Sequence, residues 1–248
     1  MNAPERLHFI WQGLLDVIYP PVCLICGERP REPFCEACRS AIQPLSPPFC
    51  PRCGSAAVPS GQKICAACEA GGEPPFQWLQ AAGQYAGPLR EAIHLLKYRG
   101  KTALAEPLGQ MLIASCLSPG SRLHAIAGLA GFNRVVPVPL HPARWRQRGF
   151  NQSELLARVV MQERGWPVDT IGLRRTRRTT PQVGLSAGQR AANVQGAFAP
   201  RTPNHFAGQS VLLIDDVLTT TATVREAARA LREAGATRVC VAALAQDL

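Results

Sequence analysis

The sequence has no run of apolar residues long enough to cross a bilayer. A spanning helix needs about 18 or more in succession, and no stretch of the 248 residues approaches that. An export signal is missing too, since nothing combines a basic start, a solid apolar run and a small-residue cleavage site. The chain is therefore expected in the cytoplasm, where thiols stay reduced. Acidic residues are scarce where basic ones crowd. Positions 141–190 hold ten Arg against three acids, a local +7 out of a total charge of +10. Such a field invites a polyanion, and a basic surface of this kind also attracts nucleic acid. Histidine is sparse, with five in the chain. None stands in a motif that would mark a general base, and only His141 adjoins the basic segment.

With 46% hydrophobic content, a chain of this length can bury a full α/β core and carry a small extra domain. Three segments are expected. Leu7, Ile10, Trp11, Leu14, Leu15 and Ile18 share one helical stripe and Pro20-Pro21 stops it, so an amphipathic helix is predicted within 1–22, packed on the body of the protein. A cysteine-rich module follows at 23–70. Gly71-Gly72 and Pro74-Pro75 then mark a boundary, and alternating α and β patterns fill 76–248.

Eight cysteines fall in 46 residues as four C-x-x-C pairs: Cys23/Cys26, Cys35/Cys38, Cys50/Cys53 and Cys65/Cys68. Each pair presents two thiolates on one side of a tight loop, and two pairs complete a tetrahedral zinc site. Two structural Zn²⁺ ions are expected, with consecutive and interleaved pairing both open. The segment is Pro-rich and has few large apolar side chains. It cannot hold itself together by burial, and metal must do it. Five bases and four acids give it +1. Eight thiolates with two Zn²⁺ change that to about −3, a poor match for a phosphate backbone. A structural or partner-docking role is the better reading. Cys116 and Cys240 read as inert core thiols.

The most informative run is VLLIDDVLTTTAT at 211–223. Positions 211–214 read as a strand buried on both faces of a parallel sheet. Asp215 and Asp216 follow, then Thr219, Thr220, Thr221, Ala222 and Thr223, and from Val224 the apolar spacing becomes helical. Backbone N–H groups of a loop at a helix N-terminus can wrap a phosphate. The run resembles the phosphoribosyl pyrophosphate (PRPP) motif of the type I phosphoribosyltransferases, which implies that the two acids hold the ribose hydroxyls and the loop the 5′-phosphate. The resembled family usually has Gly where this chain has Thr221. Glycine takes positive φ freely there, and a β-branched residue resists it.

Further upstream, a short strand at 135–138 leads into Pro139, His141, Arg144, Arg146, Arg148 and Gly149-Phe150-Asn151-Gln152. Prolines fix a loop rigidly, and guanidinium groups at alternate positions suit a pyrophosphate. Arg174, Arg175, Arg177 and Arg178 beside Thr179-Thr180-Pro181-Gln182 read as a long polar connection that could close over a polyphosphate. With Lys97-Tyr98-Arg99-Gly100 and the segment 181–198, these pieces resemble, in order and over essentially the whole chain, the ComF family. That resemblance implies a double zinc ribbon followed by a type I phosphoribosyltransferase fold, a parallel sheet with helices on both faces. It also implies Mg²⁺-dependent PRPP binding and a link to DNA uptake in competent bacteria. Pro139, Arg144 and Arg148 would then hold the pyrophosphate, with Arg177 and Arg178 in a lid. The expected function is phosphoribosyl transfer to an unidentified acceptor. The alternative is a PRPP- or nucleotide-sensing protein that handles single-stranded DNA, with a protein of the competence machinery docked on the zinc module.

Overall fold

The computed structural model describes residues 22–29, 32–128, 131–177 and 187–248. The helix expected within 1–22 therefore lies, except for Val22, outside the described residues. Four strands form the main sheet: β1 (Trp78–Gln84), β2 (Arg134–Pro137), and two longer central ones, β5 (Ser210–Leu218) and β6 (Arg238–Gln246), in the order β1-β6-β5-β2. Every pairing is parallel. A parallel sheet needs cover on both faces, and the apolar runs of β5 and β6 supply two sets of side chains by alternation. Leu212, Ile214, Cys240 and Ala242 enter one core, while Val211, Leu213, Val239 and Val241 enter the other.

The first core is closed by α3 (Gly87–Arg99), α4 (Ala105–Leu112) and α7 (Gln152–Arg164), the second by α9 (Ala222–Glu233). Helix α3 carries Pro88 in its first turn and ends on Gly100 in the left-handed region, the placements each residue favours. Residues 102–117 form three helical pieces in succession, a 3₁₀ turn (Thr102–Leu104), α4 and a π turn (Ile113–Leu117).

Two differences from the sequence expectations come from short elements. The proline and arginine segment after β2 is not a loop throughout, because α6 (Pro142–Arg148) forms there. The polar connection after Gly172 contains β3 (Leu173–Arg175), paired antiparallel with β4 (Phe198–Pro200), and helix α8 (Ala187–Val194) lies between them.

The cysteine module, with its short helices α1 (Glu36–Ser40) and α2 (Ala66–Gly71), is packed into both cores. Cys23, Cys35 and Cys38 share the first core with Leu89 and Ile93 of α3, whereas Cys50, Cys53, Cys65 and Cys68 share the second with β5 and α9. The segment joining the two halves runs along the free edge of β1. There the N–H of Leu79 donates to the carbonyl of Cys53 at 2.8 Å and that of Gln84 to Gln43 at 2.9 Å. An unpaired sheet edge is thereby satisfied. Gly54 sits at this seam with φ +86°, and a Cβ there would meet the Leu79 carbonyl oxygen at 2.2 Å. Only glycine fits.

Candidate phosphosugar site

Strand β5 continues past Ile214 through both aspartates to Leu218. Asp215 and Asp216 are 8% and 4% exposed. The Ser153 hydroxyl donates to Asp215 Oδ1 at 3.3 Å, and the Asp216 N–H donates to the same oxygen at 2.9 Å. Burial, and then the neighbouring Asp216 carboxylate, push the Asp215 carboxyl up to about 7. Asp216 Oδ1 pairs with Lys97 Nζ at 2.8 Å, and Asp216 Oδ2 is buried without a hydrogen-bond partner. Burial alone would lower the Lys97 ammonium, but the attraction of Asp216 and then Asp215 outweighs it and holds the lysine above its ordinary value. A buried carboxylate oxygen with no donor facing it suits a sugar hydroxyl or a hydrated cation.

Beyond Leu218 the chain turns into α9. Thr221 is its N-cap residue, with φ 59° and ψ −1°, the left-handed conformation, and its side chain makes no capping bond. The threonine thus holds the backbone shape that glycine takes freely, at a cost of roughly 1–2 kcal/mol. The hydroxyls of Thr220 and Thr221 are buried without partners. Unmet hydroxyls at the dipole-positive end of a helix are suited to phosphate oxygens.

Opposite this loop, α6 and α7 bring in the arginines. Helix α6 ends on Gly149 at φ +81°. Asn151 then caps α7 by accepting from the Ser153 N–H at 3.1 Å and donates to the Val138 carbonyl at 3.0 Å. This tie at the end of β2 sets Arg148 and Ser153 at the cleft. Arg148 donates to Gln152 Oε1 and lies 5.4 Å over the Tyr98 ring. A cleft of about 390 Å³ results, lined by Asp215, Asp216, Thr219, Thr221, Ala222 and Thr223 on one side. Lys97, Tyr98, Arg144, Arg148, Arg175 and Arg190 also line it. Arg175 is buried against Phe198, and burial, then the Arg144 guanidinium, lower it to about 10.

Of the arginines expected at the site, Arg144 and Arg148 are brought there and Arg146 is not. Pro139 lies between two lining residues, Val138 and Leu140, and Thr220 faces a different cavity behind the loop. Arg177 donates to the carbonyls of Asn193 and Gln195, at 3.0 and 2.6 Å, and does not line the cleft. Arg178 lies outside the described residues. His141 accepts from the Ala143 N–H at 3.2 Å as the N-cap of α6. Nothing in the sequence around Lys97 marks it for the site. It is a lysine one turn before a capping glycine, and only the tertiary fold sets it on the acidic pair.

Two groups of four thiols complete the inventory: Cys23, Cys26, Cys35 and Cys38, and Cys50, Cys53, Cys65 and Cys68, the Sγ atoms within each group lying within 4.8 Å of one another. The pairing is consecutive. Zinc at about 2.3 Å from four sulfurs requires tetrahedral edges of about 3.8 Å. The separations Cys23–Cys38 at 3.9 Å, Cys26–Cys35 at 3.7 Å and Cys53–Cys65 at 3.6 Å fit that size. These are two zinc-binding sites.

Comparison with known proteins agrees with this geometry. The double zinc ribbon domain family matches residues 14–69, and the phosphoribosyl transferase domain family matches residues 147–248. Fold and site define a protein that joins a double zinc ribbon to a phosphoribosyltransferase domain. DNA utilization protein YhgH of Escherichia coli (strain K12) is 35% identical over 173 residues, 70% of this chain and 74% of the relative. Competence protein F of Haemophilus influenzae is 31% identical over 165 residues, 66% of this chain and 70% of the relative. The chain belongs to the ComF family. Among solved structures, glutamine PRPP amidotransferase from B. subtilis is similar at 23% identity and a TM-score of 0.35, over 55% of this chain and 25% of that one. No helix among the described residues is long and apolar enough to cross a membrane.

Proposed function

We propose that the cleft binds PRPP and serves phosphoribosyl transfer. The observation that carries this reading is the juxtaposition of a buried acidic pair, one oxygen of which has no partner, with a left-handed threonine loop and cleft-lining arginines. Asp215 and Asp216 would take the ribose 2′- and 3′-hydroxyls, residues 219–223 the 5′-phosphate, and Arg144 and Arg148 the pyrophosphate, with Pro139 fixing their loop. Lys97, Arg175 and Arg190 also line the cleft and add positive charge to it. Mg²⁺ carried on the pyrophosphate would lower the charge of the leaving group. The acidic pair and its unpartnered oxygen offer donors of the hard, oxygen type that this ion takes.

A second reading rests on His141. It is the histidine adjoining the site in sequence, it is engaged as a helix cap, and no histidine among the described residues lines the cleft. Without a base for an acceptor, the same site would bind PRPP or a nucleotide as a sensor in the handling of single-stranded DNA; the relatives' names, which speak of DNA utilization and competence, support the link to DNA alone. Pyrophosphate release from PRPP and Mg²⁺ with a panel of acceptors separates the two readings. Calorimetry tests what they share: Asp215→Asn with Asp216→Asn should weaken PRPP by tenfold or more, which is about 1.4 kcal/mol or above. Unchanged affinity would reject the site.

A further inference from the structure

A second cavity, of about 650 Å³, lies on the far side of the threonine loop. Thr219, Thr221 and Ala222 line both cavities, so the loop is a partition with open space in front and behind. The back wall belongs to the second ribbon, through Ala66, Ala67 and Ala70 of α2. Packing from behind does not fix the loop, and the Thr221 side chain does not fix it either. Thr221 makes no capping bond, and its hydroxyl is buried without a partner. A left-handed β-branched residue in that position must be held from elsewhere.

Arg225 spans the gap. Its backbone N–H donates to the Thr221 carbonyl at 2.9 Å, closing the first turn of α9. Its Nη2 donates to Cys68 Sγ at 2.9 Å. Cys68 is fully buried in the second four-cysteine group. Four thiolates around one Zn²⁺ carry a net charge of about −2, and a guanidinium donating to one of them is a charge-assisted bond that orients the ligand. One side chain therefore joins a metal ligand to the residue that shapes the phosphate loop.

We propose that Arg225 is a positioning residue that couples the second zinc site to the phosphosugar site. Zinc held by Cys50, Cys53, Cys65 and Cys68 fixes the Arg225 guanidinium, and through it the first turn of α9 and the left-handed Thr221. By reciprocity, a phosphate seated in the loop tightens the hold on that zinc. The inference rests on the phosphosugar reading of the cleft. The first zinc site, packed on the opposite face of the sheet with α3, has no such link among the described residues and serves as an internal reference.

The test uses the full chain loaded with zinc, a graded chromogenic chelator and ribose 5-phosphate as the probe. Saturating ribose 5-phosphate should raise the chelator concentration that withdraws one of the two zinc ions by about fivefold or more, the lower end of ordinary coupling. The other ion should be unaffected, and ribose without phosphate should protect neither. Arg225→Met should abolish the protection and weaken ribose 5-phosphate, while Arg225→Lys, which keeps one donor for the thiolate, should retain part of both. A merely structural arginine would lower zinc retention with and without ligand alike. Binding of ribose 5-phosphate to the wild-type protein with no protection of zinc overturns the inference alone, as does full protection in Arg225→Met or in Arg225→Lys if the methionine variant does not fold. If ribose 5-phosphate does not bind the wild-type protein at all, the phosphosugar reading falls and takes this inference with it.

Discussion

Thr221→Gly is expected to stabilise the protein without tightening its ligand. The left-handed backbone at φ 59° costs a β-branched residue roughly 1–2 kcal/mol. The unpartnered buried hydroxyl costs on the order of 1 kcal/mol more. Against these stand the burial of one methyl group, about 0.8 kcal/mol, and the extra freedom of glycine in the unfolded chain, about 0.5–1 kcal/mol. The balance favours glycine by up to roughly 1.5 kcal/mol, a rise in Tm of a few degrees for a chain of about this size. Thr221→Ala separates the contributions, since it removes the hydroxyl and keeps the Cβ in the left-handed region. Glycine should exceed alanine by about 1 kcal/mol. A loop that holds this conformation both before and after binding relieves its strain in the folding equilibrium, and the gain cancels from binding. Affinity for ribose 5-phosphate should stay within about twofold, or fall if the hydroxyl meets the phosphate. Calorimetric melting and titration of the three proteins decide the matter. Equal melting of the Gly and Ala variants would refute the strain, and tighter binding by the Gly variant would show that the loop adopts its shape only with ligand.

Asp215 sets a pH dependence. Its folded value, raised to about 7 from 3.8, means that its contribution to stability is full below the unfolded value and is lost as pH rises through 7. In the proposed site PRPP with Mg²⁺ requires the carboxylate, so affinity should fall by up to about tenfold per pH unit below 7, with proton release visible in buffers of different ionisation heat. A flat profile from pH 5 to 8 would contradict this. Cys53→Ser should lower one melting transition of the whole chain, because Cys53 is fully buried in the core shared with β5 and α9; a separate low-temperature transition in calorimetry would refute it. Metal analysis should find two zinc ions per chain. Neutralising Arg144, Arg146 and Arg148 should weaken single-stranded DNA binding and flatten its salt slope, read by fluorescence anisotropy, and an unaltered slope would place the contact elsewhere.

The central sheet was legible because its strands are continuous apolar runs bounded by turn residues, and the acidic pair because it interrupts such a run just before a helical pattern. Helix α6 was not. None of its residues is buried, so it has no apolar stripe to betray it, and proline at its start reads equally well as a loop. The β3–β4 pair was hidden for a different reason. Strands of three residues show one alternation at most, too little to separate from noise. Arg175 and Arg177 illustrate the limit for the site. They are two positions apart in one basic cluster, yet one is buried at the cleft and the other is tied to backbone carbonyls of the β3–β4 connection. Composition assigns charge to a segment, and pairing assigns it to a place.

The two zinc ribbons bear on the cleft through the sheet edge. Their own apolar content is too small for independent folding, yet their cysteines lie in both cores and the chain between them covers β1. At its far end β1 leads through Tyr85 into α3, whose last turn carries Lys97 onto Asp216. Two adjacent carboxylates under one another's field resist ionising together, and Lys97 offsets that repulsion by pairing with Asp216. The edge contacts from Gln43 and Cys53 fix the strand that fixes that helix. The chain covering the sheet edge thus braces the strand that leads into the helix bearing Lys97.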